Sequence, residues 1–173
     1  MVVHLEKKLT FLSQEWIREV TKAVQAARLS DAEFRSITSN YSLNLLYRIS
    51  GLPADLKKMY SGKDELCFFI KLEKGSVRKL QIGTEPPDEK IDFTVSSSYN
   101  IAKQIASGEI SLANAFFSRQ FRVEPQARLY RNPRFAARTI VVGNRIFKIA
   151  RQVPTHFISE EAQAVQIYSG EVE

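Results

Sequence analysis

The sequence predicts an α+β fold, antiparallel strands with helices grouped to cover one face, and three observations carry that reading. Residues 14–27 repeat apolar side chains at helical spacing, and residues 41–49 switch to a period of two. Past residue 98 the pattern returns to helices, interrupted by one short strand, so strands and helices are segregated along the chain. A length of 173 residues suits a single domain, 1–173, with its core over about 11–153 and a peripheral tail over 154–173.

In the first helix Trp16, Ile17, Val20, Ala23, Val24 and Ala27 form one amphipathic stripe. Ser13 stands where an N-cap belongs, and Glu15 favours the positive end of the helix dipole. The tetrad Ser30–Glu33, SDAE, has capping-box spacing and opens a short helical turn. Tyr41, Leu43, Leu45, Tyr47 and Ile49 then alternate with Ser42, Asn44, Leu46 and Arg48, which makes a half-buried strand ended by Gly51 and Pro53. LPADLKKMY reads as a short helix closed by Ser61-Gly62. Residues 65–84 read as a hairpin turning at Lys74-Gly75-Ser76. Its first strand is apolar on both faces from Leu66 to Leu72, which implies a central position or a covered sheet. Pro86-Pro87 marks a loop, and IDFTVS follows as a strand with Ile91, Phe93 and Val95 on one face.

Ser96 to Ser98 precede a helix over about 99–107 that Gly108 stops. Two readings of the serines stand, capping of that helix or phosphate binding at its N-terminus. A second helix, about 111–118, carries Phe116 and Phe117 side by side, and FRV at 121–123 is a short strand. Neighbouring helical positions point about 100° apart, so one packing face cannot bury both rings. The second ring meets either another layer of core or a cavity holding something apolar. Asn132-Pro133 is an N-cap followed by proline at the first helical position. In the long helix it opens, Phe135, Val142, Ile146, Ile149 and Val153 share one arc, while Arg134, Arg138, Arg145 and Lys148 share another. A hairpin at Gly143-Asn144 is the alternative, and it fits the apolar spacing less well.

The net charge of +6 is concentrated. Residues 119–151 hold nine basic side chains against Glu124 alone, a segment of +8, so the rest of the chain is near −2. Such a segment attracts anions such as phosphate head groups or nucleic acid, or else it is a solvated helix face. The single cysteine, Cys67, allows no internal disulfide and fits a cytoplasmic location. No apolar run is long enough to span a bilayer, and MVVHLEKKL lacks the apolar segment of a signal peptide. Catalytic inventories fail. There is no dinucleotide fingerprint, phosphate-binding loop or nucleophile elbow, and His4 and His156 have no histidine partner at metal-ligand spacing. Asp88, Glu89 and Asp92 cluster at a strand start, where loop solvation accounts for them. The expectation is a protein with no catalytic residues, no metal and no cofactor.

Residues 91–125, read as IDFTVSS, YNIAKQIASGE, ISLANAFFS and QFRVEP, resemble the sterol carrier protein 2 (SCP2) lipid-transfer family. Asp92, Thr94, Gly108, Glu109, Phe116, Ser118, Val123 and Glu124 stand where that pattern places them, and a looser agreement of element order extends over about 11–150. Two departures stand out, since the family usually has glycine at the positions of Arg119 and Pro125. The first would be the glycine in a left-handed conformation that ends a helix.

The resemblance implies a five-stranded, mainly antiparallel sheet covered by helices, with an apolar tunnel between the layers. It implies a sterol, fatty acid, acyl-CoA or phospholipid chain as ligand, and no catalysis. The candidate wall residues are Ile101, Ile105, Leu112, Phe116, Phe117 and Phe121, against the alternative of ordinary core packing. The candidate contacts to a head group or an anionic membrane are Arg119, Arg122, Arg134, Arg138, Arg145 and Lys148. A second reading is a non-catalytic interaction or regulatory domain whose tunnel Phe117 and Phe121 plug. Nucleic acid is the disfavoured partner, because the arginines lack interleaved aromatics and no nucleic-acid-binding motif occurs.

Overall fold

The first regular element, β1 (Leu9–Thr10), is only two residues long and leads into helix α1 (Gln14–Ser30). These come from a computed structural model that describes residues 6–159. The Ser13 hydroxyl accepts the Trp16 N–H at 3.2 Å, so α1 starts at its expected cap, and Trp16, Ile17, Val20 and Val24 are buried. Helix α2 (Ala32–Thr38) is capped by Asp31, whose carboxylate accepts the Phe34 N–H at 3.0 Å, and not by Ser30 of the expected capping box. Ser30 is the last residue of α1, so its backbone is already helical and cannot take the extended cap conformation.

The main sheet takes β2 (Leu43–Ser50), then, after the short helix α3 (Ala54–Met59), the hairpin β3 (Glu65–Glu73) and β4 (Ser76–Gly83), and β5 (Phe93–Ser98). Lys74 and Gly75 turn the hairpin with φ of +47° and +81°, the paired positive values of a tight type I′ turn. Helix α4 (Tyr99–Ser107) follows, then α5 (Leu112–Phe117), β6 (Arg122–Glu124), α6 (Gln126–Arg131), α7 (Pro133–Ala150) and β7 (Thr155–His156).

The five strands lie in the order β4-β3-β2-β5-β6, antiparallel except for the parallel pair β2–β5. Because β4 is at an edge and β5 lies beyond β3 and β2, the chain between them must cross the sheet. It crosses on the outer face, where Ile91 packs on Leu46, Cys67 and Phe69. Glu89 ties the crossing down through Lys71 at 2.8 Å and Lys79 at 3.4 Å. This strap is why β3 is apolar on both faces: Leu66 and Phe68 face the helices, while Cys67 and Phe69 lie under the crossing.

On the inner face the Ser98 hydroxyl accepts the Ile101 N–H at 3.3 Å, and Gly108 ends α4 at φ +85°. Ser97 is held by Tyr47, so two of the three serines have structural duties. Asn132 caps α7 at 3.0 Å from the Phe135 N–H, and α7 is one helix through Gly143, which rules out the hairpin alternative. Arg119 has φ +57°, so the left-handed turn usually made by glycine is made here by arginine. The strand expected at 121–123 begins one residue later, and α6 had no counterpart in the sequence pattern.

The tail expected to be peripheral is corrected over its described part. β7 pairs in parallel with β1, the Trp16 indole donates to Thr155 at 2.9 Å, and Phe157 packs on Phe11 with ring centres 5.1 Å apart. Burying these aromatics holds the segment on the core. His4 and residues 160–173 lie outside the described residues.

An apolar cavity between sheet and helices

Alternate residues of each strand face the helices, and these make the floor of a cavity. Leu43, Leu45 and Tyr47 come from β2, Phe68, Ile70 and Leu72 from β3, Phe93 and Val95 from β5, and Val123 from β6. Ile105 of α4, Leu112 and Phe116 of α5, Phe121 after it and Leu129 of α6 close the sides. The roof is α7, whose Ala136, Ile140, Gly143 and Phe147 fall at i, i+4, i+7 and i+11 and so share one stripe. The space between these elements is about 130 Å³.

Two residues of that stripe, Ala136 and Gly143, are small. A Cβ on Gly143 would stand 2.6 Å from Cδ2 of Leu112, so any larger residue there would push the Leu112 side chain aside. The Asn144 side chain fixes the contact by accepting the Leu112 N–H at 3.2 Å. Gly143-Asn144, a candidate turn in the sequence, is the seat of α5.

The wall offers no free polar group. Thr139 donates to the Phe135 carbonyl at 2.8 Å, and its hydroxyl therefore accepts the Tyr41 O–H at 2.7 Å. Ser97 donates to the Ser98 carbonyl at 3.0 Å and accepts the Tyr47 O–H. Burial pushes the Tyr41 and Tyr47 phenols up to about 12, so both stay neutral donors at physiological pH. A neutral wall with every hydroxyl satisfied favours an apolar guest and disfavours an ionic one. Among the described residues no group of His, Cys, Asp or Glu is placed to hold a metal ion.

Of the residues singled out for the wall, Ile105, Leu112, Phe116 and Phe121 line the cavity. Ile101 and Phe117 do not. Ile101 is half-buried in the first turn of α4, a turn away from Ile105. Phe117 is 76% exposed, because the rotation of about 100° from Phe116 turns it out of the wall. It meets Phe116 edge-on at 5.4 Å, and Phe116 meets Phe121 at 5.9 Å.

The basic set also divides. Arg145 pairs with Asp31, the largest cause holding that carboxyl below its usual range, and reaches Glu33 at 3.5 Å. Arg138 donates to the Ile37 carbonyl at 3.1 Å and to that of Ser39, and lies over the Tyr41 ring at 5.4 Å. These two arginines bolt α7 to α2 and are not available to an outside anion. Arg122 is paired with Glu124 at 2.8 Å. Among the described residues Arg119, Arg134 and Lys148 have no acidic partner within 4.0 Å, and all three are exposed.

No protein-family model and no curated protein matches the chain. Solved structures do. The fold superposes with a TM-score of 0.64 on the solution structure of a conserved hypothetical protein of Thermus thermophilus put forward as a sterol carrier protein, at 14% identity over 87% of this chain and 94% of that one. It superposes with a TM-score of 0.60 on a crystal structure of sterol carrier protein 2, at 14% identity over 83% of this chain and 98% of the other. The architecture is SCP2-like, with the α+β class and the five-stranded, mainly antiparallel sheet expected from the sequence.

Proposed function

We propose that this SCP2-like chain binds a lipid through its acyl chain, placing it between the sheet and α7 and leaving any polar head at the surface. The observation that carries the reading is the cavity itself: alternate residues of four strands and one stripe of α7 line a space with no unpaired polar side chain. Ile105, Leu112, Phe116 and Phe121 are the wall residues that would exchange water for methylenes, at about 0.8 kcal/mol for each CH₂ buried. The two SCP2-like neighbours support a lipid as the class of guest.

The space of about 130 Å³ is close to an engineered apolar cavity of about 150 Å³ that binds benzene, so a long chain requires the wall to open. Leu112, Phe116 and Phe121 are the side chains whose rotation would lengthen it, because they stand on the short helix α5 and the turn after it rather than on the sheet. The function is carriage or sensing of a lipid, without catalysis, and no described helix is long and apolar enough to cross a membrane.

Titration with a fluorescent fatty acid, together with native mass spectrometry of gently purified protein, tests the proposal. Saturable binding of one lipid molecule per chain is expected. If no fatty acid, acyl-CoA or phospholipid binds, the reading is wrong and the cavity is a packing defect of an interaction domain.

A further inference from the structure

Five large apolar side chains are exposed among the described residues, and three of them, Phe117, Tyr130 and Val141, fall within 25 positions of one another. Each follows a cavity-lining residue directly in the chain: Phe116, Leu129 and Ile140 point in, and their neighbours point out. The three therefore decorate the outside of the wall formed by α5, α6 and α7. On α7, Arg134, Ala137, Val141 and Lys148 are spaced i, i+3, i+7 and i+14 and are all exposed, so they make one solvent-facing stripe. Arg119 stands two residues after Phe117, and Arg131 one residue after Tyr130.

Among the described residues, four acids are already engaged by arginines of this region. Glu124 is held by Arg122 at 2.8 Å, Asp31 and Glu33 by Arg145, and Asp92 lies 3.9 Å from Arg128. Among the described residues, Arg119, Arg131, Arg134 and Lys148 then remain without an acidic partner, and the Phe117 and Tyr130 rings are 76% and 81% exposed.

We infer that the outer face of α5, α6 and α7 is a docking surface for an anionic lipid bilayer, with Phe117 and Tyr130 entering the interface and Arg119, Arg131, Arg134 and Lys148 meeting lipid phosphates. The inference rests on the proposed lipid-binding function and names the face from which a chain would pass between membrane and cavity. A bilayer satisfies both halves of the surface at once. Its phosphates neutralise the cations and its acyl boundary takes the rings. A nucleic acid would meet the cations and leave Phe117 and Val141 in water.

Co-sedimentation tests this with two kinds of vesicle, pure phosphatidylcholine and an equimolar mixture of phosphatidylcholine and phosphatidylglycerol. Binding is expected only to the mixed vesicles, weakening as salt is raised. Phe117→Ser combined with Tyr130→Ser is expected to weaken binding about tenfold, the loss of partial burial of the two rings. Arg134→Ala with Lys148→Ala is expected to weaken it about 25-fold, roughly fivefold for each cation near the surface. Leu29→Ser, which removes a side chain 84% exposed at the end of α1, is expected to change nothing.

Equal binding to both vesicles, unchanged binding by the serine pair, an equal loss on Leu29→Ser, or binding to a DNA duplex without vesicle binding would each overturn the inference. Fatty-acid titration of the same variants in vesicle-free buffer separates the two claims. Docking lost with titration intact removes this inference alone. Titration lost with docking intact removes the cavity reading alone.

Discussion

Filling the cavity from α7 separates a binding site from a well-packed core. Ala136 lies on the inward stripe formed with Ile140, Gly143 and Phe147, and leucine is a good helix former. An empty space of about 130 Å³ weakens a fold by about 3 kcal/mol at ~24 cal/mol per Å³. Ala136→Leu adds three carbons to that space, a transfer gain of about 2.4 kcal/mol, from which imperfect fit removes about 1 kcal/mol. The expected net stabilisation of about 1–2 kcal/mol raises Tm by about 2–8 °C for a chain of this size. The assay is a thermal melt with and without a fatty acid, beside a fluorescent fatty-acid titration. The variant should melt higher than the parent when unliganded, bind at least about tenfold more weakly (about 1.4 kcal/mol), and gain little from added ligand. A variant that binds fatty acid as the parent does would refute the assignment of the cavity. One that is strongly destabilised would refute the claim that the space is empty.

Three further outcomes follow from local geometry. Arg119→Gly relieves an L-residue held at φ +57° and should stabilise the fold by about 1 kcal/mol in chemical denaturation; a loss would show that the arginine side chain anchors the turn. Gly75→Ala should destabilise by about 2–3 kcal/mol, since its Cβ would stand 2.4 Å from the Thr38 carbonyl oxygen in a backbone at φ +81°; a change under about 0.5 kcal/mol would contradict that packing. The Tyr41, Tyr47, Tyr60 and Tyr99 phenols are all pushed up to about 12 by burial. Unfolded phenols release their protons at about 10, so the unfolded state ionises first as pH rises. Stability should therefore hold below pH of about 10 and fall between about 10 and 12, by about 1.4 kcal/mol per pH unit for each tyrosine. Denaturation curves and phenolate absorbance recorded together check it, and phenolate appearing at about pH 10 without unfolding would contradict the burial.

What could be read from the sequence was mostly what is local. Ser13, Ser98 and Asn132 cap their helices because a cap needs only the next three residues. Lys74-Gly75 turns the hairpin for the same kind of reason. The misses are tertiary. Strands β1 and β7 have two residues each and exist only because they meet, so neither has a pattern of its own. Helix α6 is six residues long with no side-chain cap.

The site was half legible. Phe116 and Phe117 stood out because neighbouring rings on a helix cannot share one packing face, and only Phe116 turns inward. Ala136 and Gly143 did not stand out, because smallness matters only once the cavity under α7 and the seat of α5 are known. The arc of Phe135, Val142 and Ile146 looked like the whole apolar face of α7, yet the cavity also takes the neighbouring arc of Ala136, Ile140 and Phe147. Arg138 and Arg145 could not be told from Arg134 and Lys148 by spacing, since only the position of α2 makes the first two structural.

The most direct test of the central claim is where an acyl chain rests. A carbon-13-labelled fatty acid bound to the protein, observed by nuclear Overhauser contacts, should show its methylenes against Leu45, Val95, Phe116 and Ile140, on the inner face of the sheet and beneath α7. Methylene contacts confined to Phe117 and Tyr130 on the outer surface, with none to those four residues, would contradict it.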